Sequence, residues 1–235
     1  MKYFSSFTKG AATLAVLAAA SSVQAVGVFN EFTIQEGSVP GTANNLVVGD
    51  KFNGGYQESL FILPTQSGLE FSTAAIGSFS NIFANEGAPF PSLNHHLGNS
   101  ADQYKLYFTF TSAGTVSGNN FTGTSGSFNL YIDADSNTQL GLGVDGSGNP
   151  TANIVSGNSD DYLIAFSNVL QTASGFSGNP AAFELWFKNF TLTTGDQNAN
   201  TAGDQNGASY FIQPDPFHIL VNVDGDFDSF TPAPG

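Results

Sequence analysis

Three runs of hard oxygen ligands stand out in this chain of 235 residues. Asp133-Ala134-Asp135-Ser136-Asn137-Thr138 sets Asp133, Asp135 and Asn137 at alternate positions after an apolar-alternating stretch. Alternate oxygen side chains turned toward one point are how the first half of a calcium loop holds its cation. Thr138 stands where such a loop requires glycine, and no Glu follows at its last position, so the run is not an EF-hand. Asp224-Gly225-Asp226-Phe227-Asp228 is a second cluster, with Asp224, Asp226 and Asp228 as its ligands, and Asp160-Asp161 is a third acidic spot. Calcium is the ion these oxygens suit. The competing reading is turn-forming Asp, whose short side chain bonds to its own backbone.

Other chemistry is less well supported. The three histidines are His95, His96 and His218, and no Gly-x-Ser-x-Gly elbow accompanies them. Adjacent His95 and His96 would face opposite sides of a strand and make a poor clamp for one metal. Glycoside hydrolysis needs two facing carboxylates, and the spacing of Glu31, Glu36, Glu58, Glu70, Glu86 and Glu184 singles out no pair. Trp186, Tyr56, Tyr104, Tyr107 and Tyr210 are aromatic platforms on which a sugar ring can stack. Most alternate with polar residues along strands, which predicts core packing for each. No motif requires a cofactor.

The composition narrows the partners. Five Lys+Arg oppose 19 Asp+Glu, for a net charge of −14, and none of the five is Arg. Such a chain cannot neutralise a row of phosphates, which excludes nucleic acid as a partner. With no Cys there is no disulfide frame, thiolate zinc site or thiol nucleophile. An apolar share of 40%, including 23 Phe, is too high for a disordered acidic tail.

These side chains must be positioned by strands. Phe32-Thr33-Ile34-Gln35, Tyr104 to Phe110, Ser127 to Ile132, Ala182 to Phe190 and Phe217 to Val223 alternate with a period of two. Val39-Pro40-Gly41 suits a type II turn, and Asn53-Gly54-Gly55 reads as a hairpin. Gly123 to Gly126, Gly141 to Pro150 and Gly175 to Pro180 read as loops. The run from Thr194 to Gly207 reads as an exposed loop. Ser72 to Asn85 could be helical, with Ile76, Phe79 and Phe83 at spacings of three and four. Asp160 to Thr172 alternates and favours a strand. The expected fold is all-β: an antiparallel two-sheet sandwich of jelly-roll type, one domain over residues 26–235, with little helix.

Residues 1–25 read as a signal peptide: Lys2 and Lys9, a short apolar run from Ala11 to Ala20, then Val23-Gln24-Ala25. Cleavage after Ala25 leaves three lysines against 19 acids, a net charge of −16. No later stretch is long and apolar enough to span a bilayer, so the expected product is secreted, without a membrane span.

The segments Glu36-Gly37-Ser38-Val39-Pro40-Gly41 and Asp50-Lys51-Phe52-Asn53-Gly54-Gly55-Tyr56-Gln57-Glu58 carry a family likeness. So do Ser127 to Asp133 and Tyr210-Phe211-Ile212-Gln213-Pro214-Asp215-Pro216-Phe217. Together they resemble the flocculation-associated PEP-CTERM proteins of bacteria. The resemblance implies an exported, non-enzymatic matrix protein that works with exopolysaccharide to hold cells in flocs. Members end in a Pro-Glu-Pro motif, an apolar helix and a basic cluster, none of which precedes Gly235. The chain is read as cut short before that tail or released without sorting. Two alternatives accompany this reading: a carbohydrate-binding module using Trp186, Tyr56 and Tyr104, and a self-assembling fibre subunit that donates Phe29 to Glu36 to a neighbour's sheet edge.

Overall fold

A computed structural model describes residues 31–84, 95–98, 103–118, 120–171, 182–198, 205–214 and 221–226. For residues 120, 171, 182–188 and 221–226 it describes the backbone alone. The strands are β1 (Phe32–Gln35), β2 (Leu46–Gly49), β3 (Lys51–Thr65), β4 (Gly68–Phe83), β5 (Lys105–Ser117), β6 (Asn120–Asp133) and β7 (Gln139–Val144). They continue with β8 (Pro150–Ser156), β9 (Tyr162–Ser167), β10 (Val169–Gln171), β11 (Ala182–Lys188), β12 (Thr191–Leu192), β13 (Phe211–Gln213) and β14 (Val221–Asp226). Helix is limited to a 3-10 turn at Glu36–Ser38 and the four-residue α1 (Gly207–Tyr210) among the described residues.

A six-stranded antiparallel sheet, ordered β12-β9-β6-β5-β4-β3, forms the centre. Its register sets Phe71, Ala75 and Phe79 of β4 in line with Gly114, Phe110 and Leu106 of β5, so one face is largely hydrocarbon, interrupted by the buried pair Thr73 and Ser112. The three-stranded sheet β13-β1-β2 packs on that face. Ring pairs make the seam: Phe32 stacks on Phe52 at 4.6 Å, and Phe211 meets Phe52 edge-on at 6.1 Å. A second small sheet, β10-β11-β14, covers the far end, where Leu170 lies over Gly123. On the opposite face the β7–β8 hairpin lies across β4 and β5, burying Ala74, Ile76 and Tyr107. Stacked aromatic rings prefer such offset and edge-on contacts, which is how a Phe-rich sequence fills two layers. The fold is an all-β, sandwich-like antiparallel architecture, as the period-two alternation predicts.

The turn at Val39-Pro40-Gly41 forms: Thr42 N–H donates to Val39 C=O at 3.2 Å, and Gly41 has φ +80°. Ser72 to Phe83 is strand β4 instead of helix, because every residue from Gly68 to Phe79 has a β5 or β3 partner that overrides the three-four spacing. Asn53-Gly54-Gly55 is a bulge inside β3. The register slips between Asn53 and Gly54, and a Cβ on Gly54 would meet Ser78 O at 1.9 Å. Gly123 to Gly126 likewise lies within β6. Gly141 and Gly143 belong to β7, and only the turn from Asp145 to Asn149 is loop. The Gly175 to Pro180 segment falls outside the described residues.

Thr194 to Gln197 is exposed as expected, but Asn198, Gln205 and Asn206 are buried. Gly207 N–H donates to Thr193 Oγ1 at 2.9 Å, pinning that segment against β9. Of the proposed donor segment Phe29 to Glu36, Phe32–Gln35 pairs with β2 on one edge and, at Thr33 and Ile34, with β13 on the other, while Phe29 and Asn30 fall outside the described residues. Among the described residues no helix is long and apolar enough to cross a membrane.

Candidate cation site

The best-formed polar cluster gathers at one end of the central sheet, where β6 leaves for β7 and β9 begins. Asp133 is the last residue of β6 and is fully buried. Its register partner across the ladder is Lys105, whose Nζ lies 3.5 Å from Asp133 Oδ2. The chain then turns tightly, with Ser136 at φ +54°, and Asp133 accepts the N–H groups of Asn137 at 3.1 Å and Thr138 at 2.9 Å. Its carboxylate thus closes the loop that follows it, the turn-forming role set out above.

Asp160 and Asp161 arrive from the loop before β9. One carboxylate oxygen from each of Asp133, Asp160 and Asp161 lies within 4.8 Å of the others. Asp160 Oδ2 accepts Asp135 N–H at 2.7 Å, while Asp160 Oδ1 is buried without a donor. Asp161 accepts from the Tyr107 hydroxyl at 2.5 Å and from Thr138 Oγ1 at 2.8 Å. Burial pushes the Asp161 carboxyl up to about 6, and the neighbouring Asp133 and Asp160 add to the rise against those two donors. Burial, followed by the Asp161 hydrogen bond and charge, lifts the Tyr107 phenol far above its ordinary value.

Three carboxylates around one point, one with a buried orphan oxygen, are a hard, oxygen-only donor set of the kind calcium takes. Asp160 and Asp161 fit the ion best. Asp133 has both oxygens engaged by its loop and by Lys105, so it would supply charge more than a free ligand atom.

The predicted ligands separate accordingly. Asp133 belongs to the cluster. Asp135 is exposed and its carboxylate is not in the cluster, and Asn137 is exposed as well, since the tight turn buries only the first of the three alternate residues. Asp224 and Asp226 lie on strand β14 instead of a loop, Asp224 opposite Glu184 and Asp226 opposite Ala182. Asp228 falls outside the described residues. Asp160, Asp161, Tyr107 and Lys105 complete the corner, and strand pairing is the signal that joins them to Asp133.

The aromatic platforms do not survive as a set. Tyr104 is only 1% exposed, since its ring packs edge-on to Tyr210 at 6.0 Å and its hydroxyl sits 2.8 Å from that of Tyr210. Tyr107 and Tyr210 are fully buried. Tyr56 is half-buried against the core. The side chain of Trp186 falls outside the description. His96 lies beside the buried Glu36, whose Oε1 accepts His96 N–H at 2.7 Å.

Fold and cluster together define an acidic, antiparallel β-sandwich protein with a three-carboxylate corner. Comparison with protein-family models, with curated proteins and with solved structures finds no match for this chain.

Proposed function

We propose that this chain is an exported matrix protein that acts without bond-breaking chemistry. In this reading it holds cells together in flocs or biofilm, in partnership with exopolysaccharide and divalent cations. The observation that carries it is the meeting of Asp133, Asp160 and Asp161 on a protein whose 19 acids face five basic residues. A surface so acidic repels copies of itself and any acidic polymer, and a divalent cation relieves that repulsion by screening and bridging. The leader-like first 25 residues and the likeness to flocculation-associated proteins support an extracellular setting. Calcium, the cation abundant outside cells, would be held by Asp160 and Asp161, with Asp133 adding negative charge.

Light scattering and pelleting of the purified protein with matrix polysaccharide, with and without calcium, test this. Calcium-dependent co-pelleting is expected. Equal behaviour in calcium and in chelator would overturn it.

A further inference from the structure

Beneath the β7–β8 turn the central sheet opens into a furrow of about 610 Å³, well within the size range of small-ligand sites. Its floor follows from register. Ser72, Ala113 and Ser125 align across β4, β5 and β6, and Thr111 lies next to Ala113 on the same face of β5. Small side chains on three adjacent strands leave a channel where large ones would fill it. Farther along, the same face is closed by the hairpin over Ile76 and Tyr107.

One wall is the turn itself, and it is rigid. Asp145 Oδ1 accepts the N–H groups of Ser147 at 2.8 Å and Asn149 at 2.9 Å, and Gly148 N–H donates to Asp145 C=O at 3.0 Å. Such a wall loses little freedom when a ligand docks. Leu63, 46% exposed, contributes apolar surface.

We infer that this furrow binds a neutral, polyhydroxylated chain, that is, a segment of glycan. The polar side chains of the lining are hydroxyls, an amide and two carboxylates, beside Leu63, Phe71, Ala113 and Pro150, with no Lys, Arg or His, so no side chain there recognises an anion. The carboxylates are already engaged: Glu70 Oε1 accepts from Thr65 and Ser67, and Asp145 from its own turn. That leaves the hydroxyls of Ser72 and Ser125 and the Thr111–Ser127 hydroxyl pair on the sheet face beneath the turn, the complement of sugar hydroxyls, with Leu63 available to a ring's C–H face. The inference rests on the exopolysaccharide partnership proposed above and assigns it a place.

Affinity electrophoresis of the full chain tests it, in gels carrying a neutral glucan, a galactomannan, polysaccharide extracted from the source cells' matrix, or polylysine. T111Y and S125Y fill the floor, and N149A trims the wall should a tyrosine variant fail to keep its melting temperature. Retardation by at least one polysaccharide is expected, weakened about tenfold or more in the variants. Equal retardation of wild type and variants would overturn the groove while leaving the partnership standing. Retardation by none of the polysaccharides would overturn both. Retardation by polylysine alone would show a cationic occupant and sink the inference.

Discussion

The Tyr107 hydroxyl donates to Asp161 Oδ2 at 2.5 Å, tying the middle of the central sheet to the loop that opens β9. Tyr107 is fully buried, stacked on Tyr131 at 4.9 Å and interplanar 11°. Removing the hydroxyl leaves a desolvated carboxyl short of a donor while keeping the ring. Y107F should therefore lose about 1–3 kcal/mol, the usual cost of deleting a buried hydrogen bond to a charged group. Thermal or urea melts read this directly. In D161N the same substitution should cost less, and a double-mutant cycle measures the difference.

Glu58 makes a pH prediction. Burial raises its carboxyl above the usual range, and the hydrogen bond from Thr73 only partly opposes that. An acid whose folded pKa is raised holds its proton more firmly folded than unfolded. Its contribution is thus most favourable below the ordinary Glu range and is lost as pH rises through the elevated folded value. E58Q should melt higher than wild type at pH 7 and nearly the same at pH 4. A parallel pH dependence in the two proteins would contradict this.

Glu36 is fully buried and serves three donors: His96 N–H at 2.7 Å, Asn45 Nδ2 at 3.0 Å and the Tyr104 hydroxyl at 3.2 Å. Through them the β1–β2 connection is joined to Tyr104, just before β5, and to the segment at His96. E36A should destabilise by roughly 2–4 kcal/mol, because it strands buried donors and leaves a cavity. E36Q should lose less. Y104F should lower stability and leave retention on polysaccharide unchanged, as expected of a residue inside the core.

How far the sequence announces this molecule depends on range. Phe32 to Gln35 alternates and is a strand with those bounds, and Pro40-Gly41 makes its turn, because both are decided by neighbouring residues. Ser72 to Phe83 misleads, since its spacing is helical and only its partners on β3 and β5 make it a strand. Asn53-Gly54-Gly55 misleads in the other direction: a bulge and a hairpin use the same residues, and only the partner strand separates them. The cation corner is legible only as separate acidic spots, Asp133 and Asp160-Asp161. The two meet through folding, and Tyr107 and Lys105 are assigned by register on β5. Tyr104 looks like a sugar platform in one dimension and is a core residue in three.

Calcium titration into the purified protein by calorimetry bears most directly on the proposed function. Wild type should show saturable binding that D160N/D161N loses, while D135N, whose exposed side chain stands outside the cluster, should keep it. Absence of binding in wild type, or binding unchanged in D160N/D161N, would contradict the account.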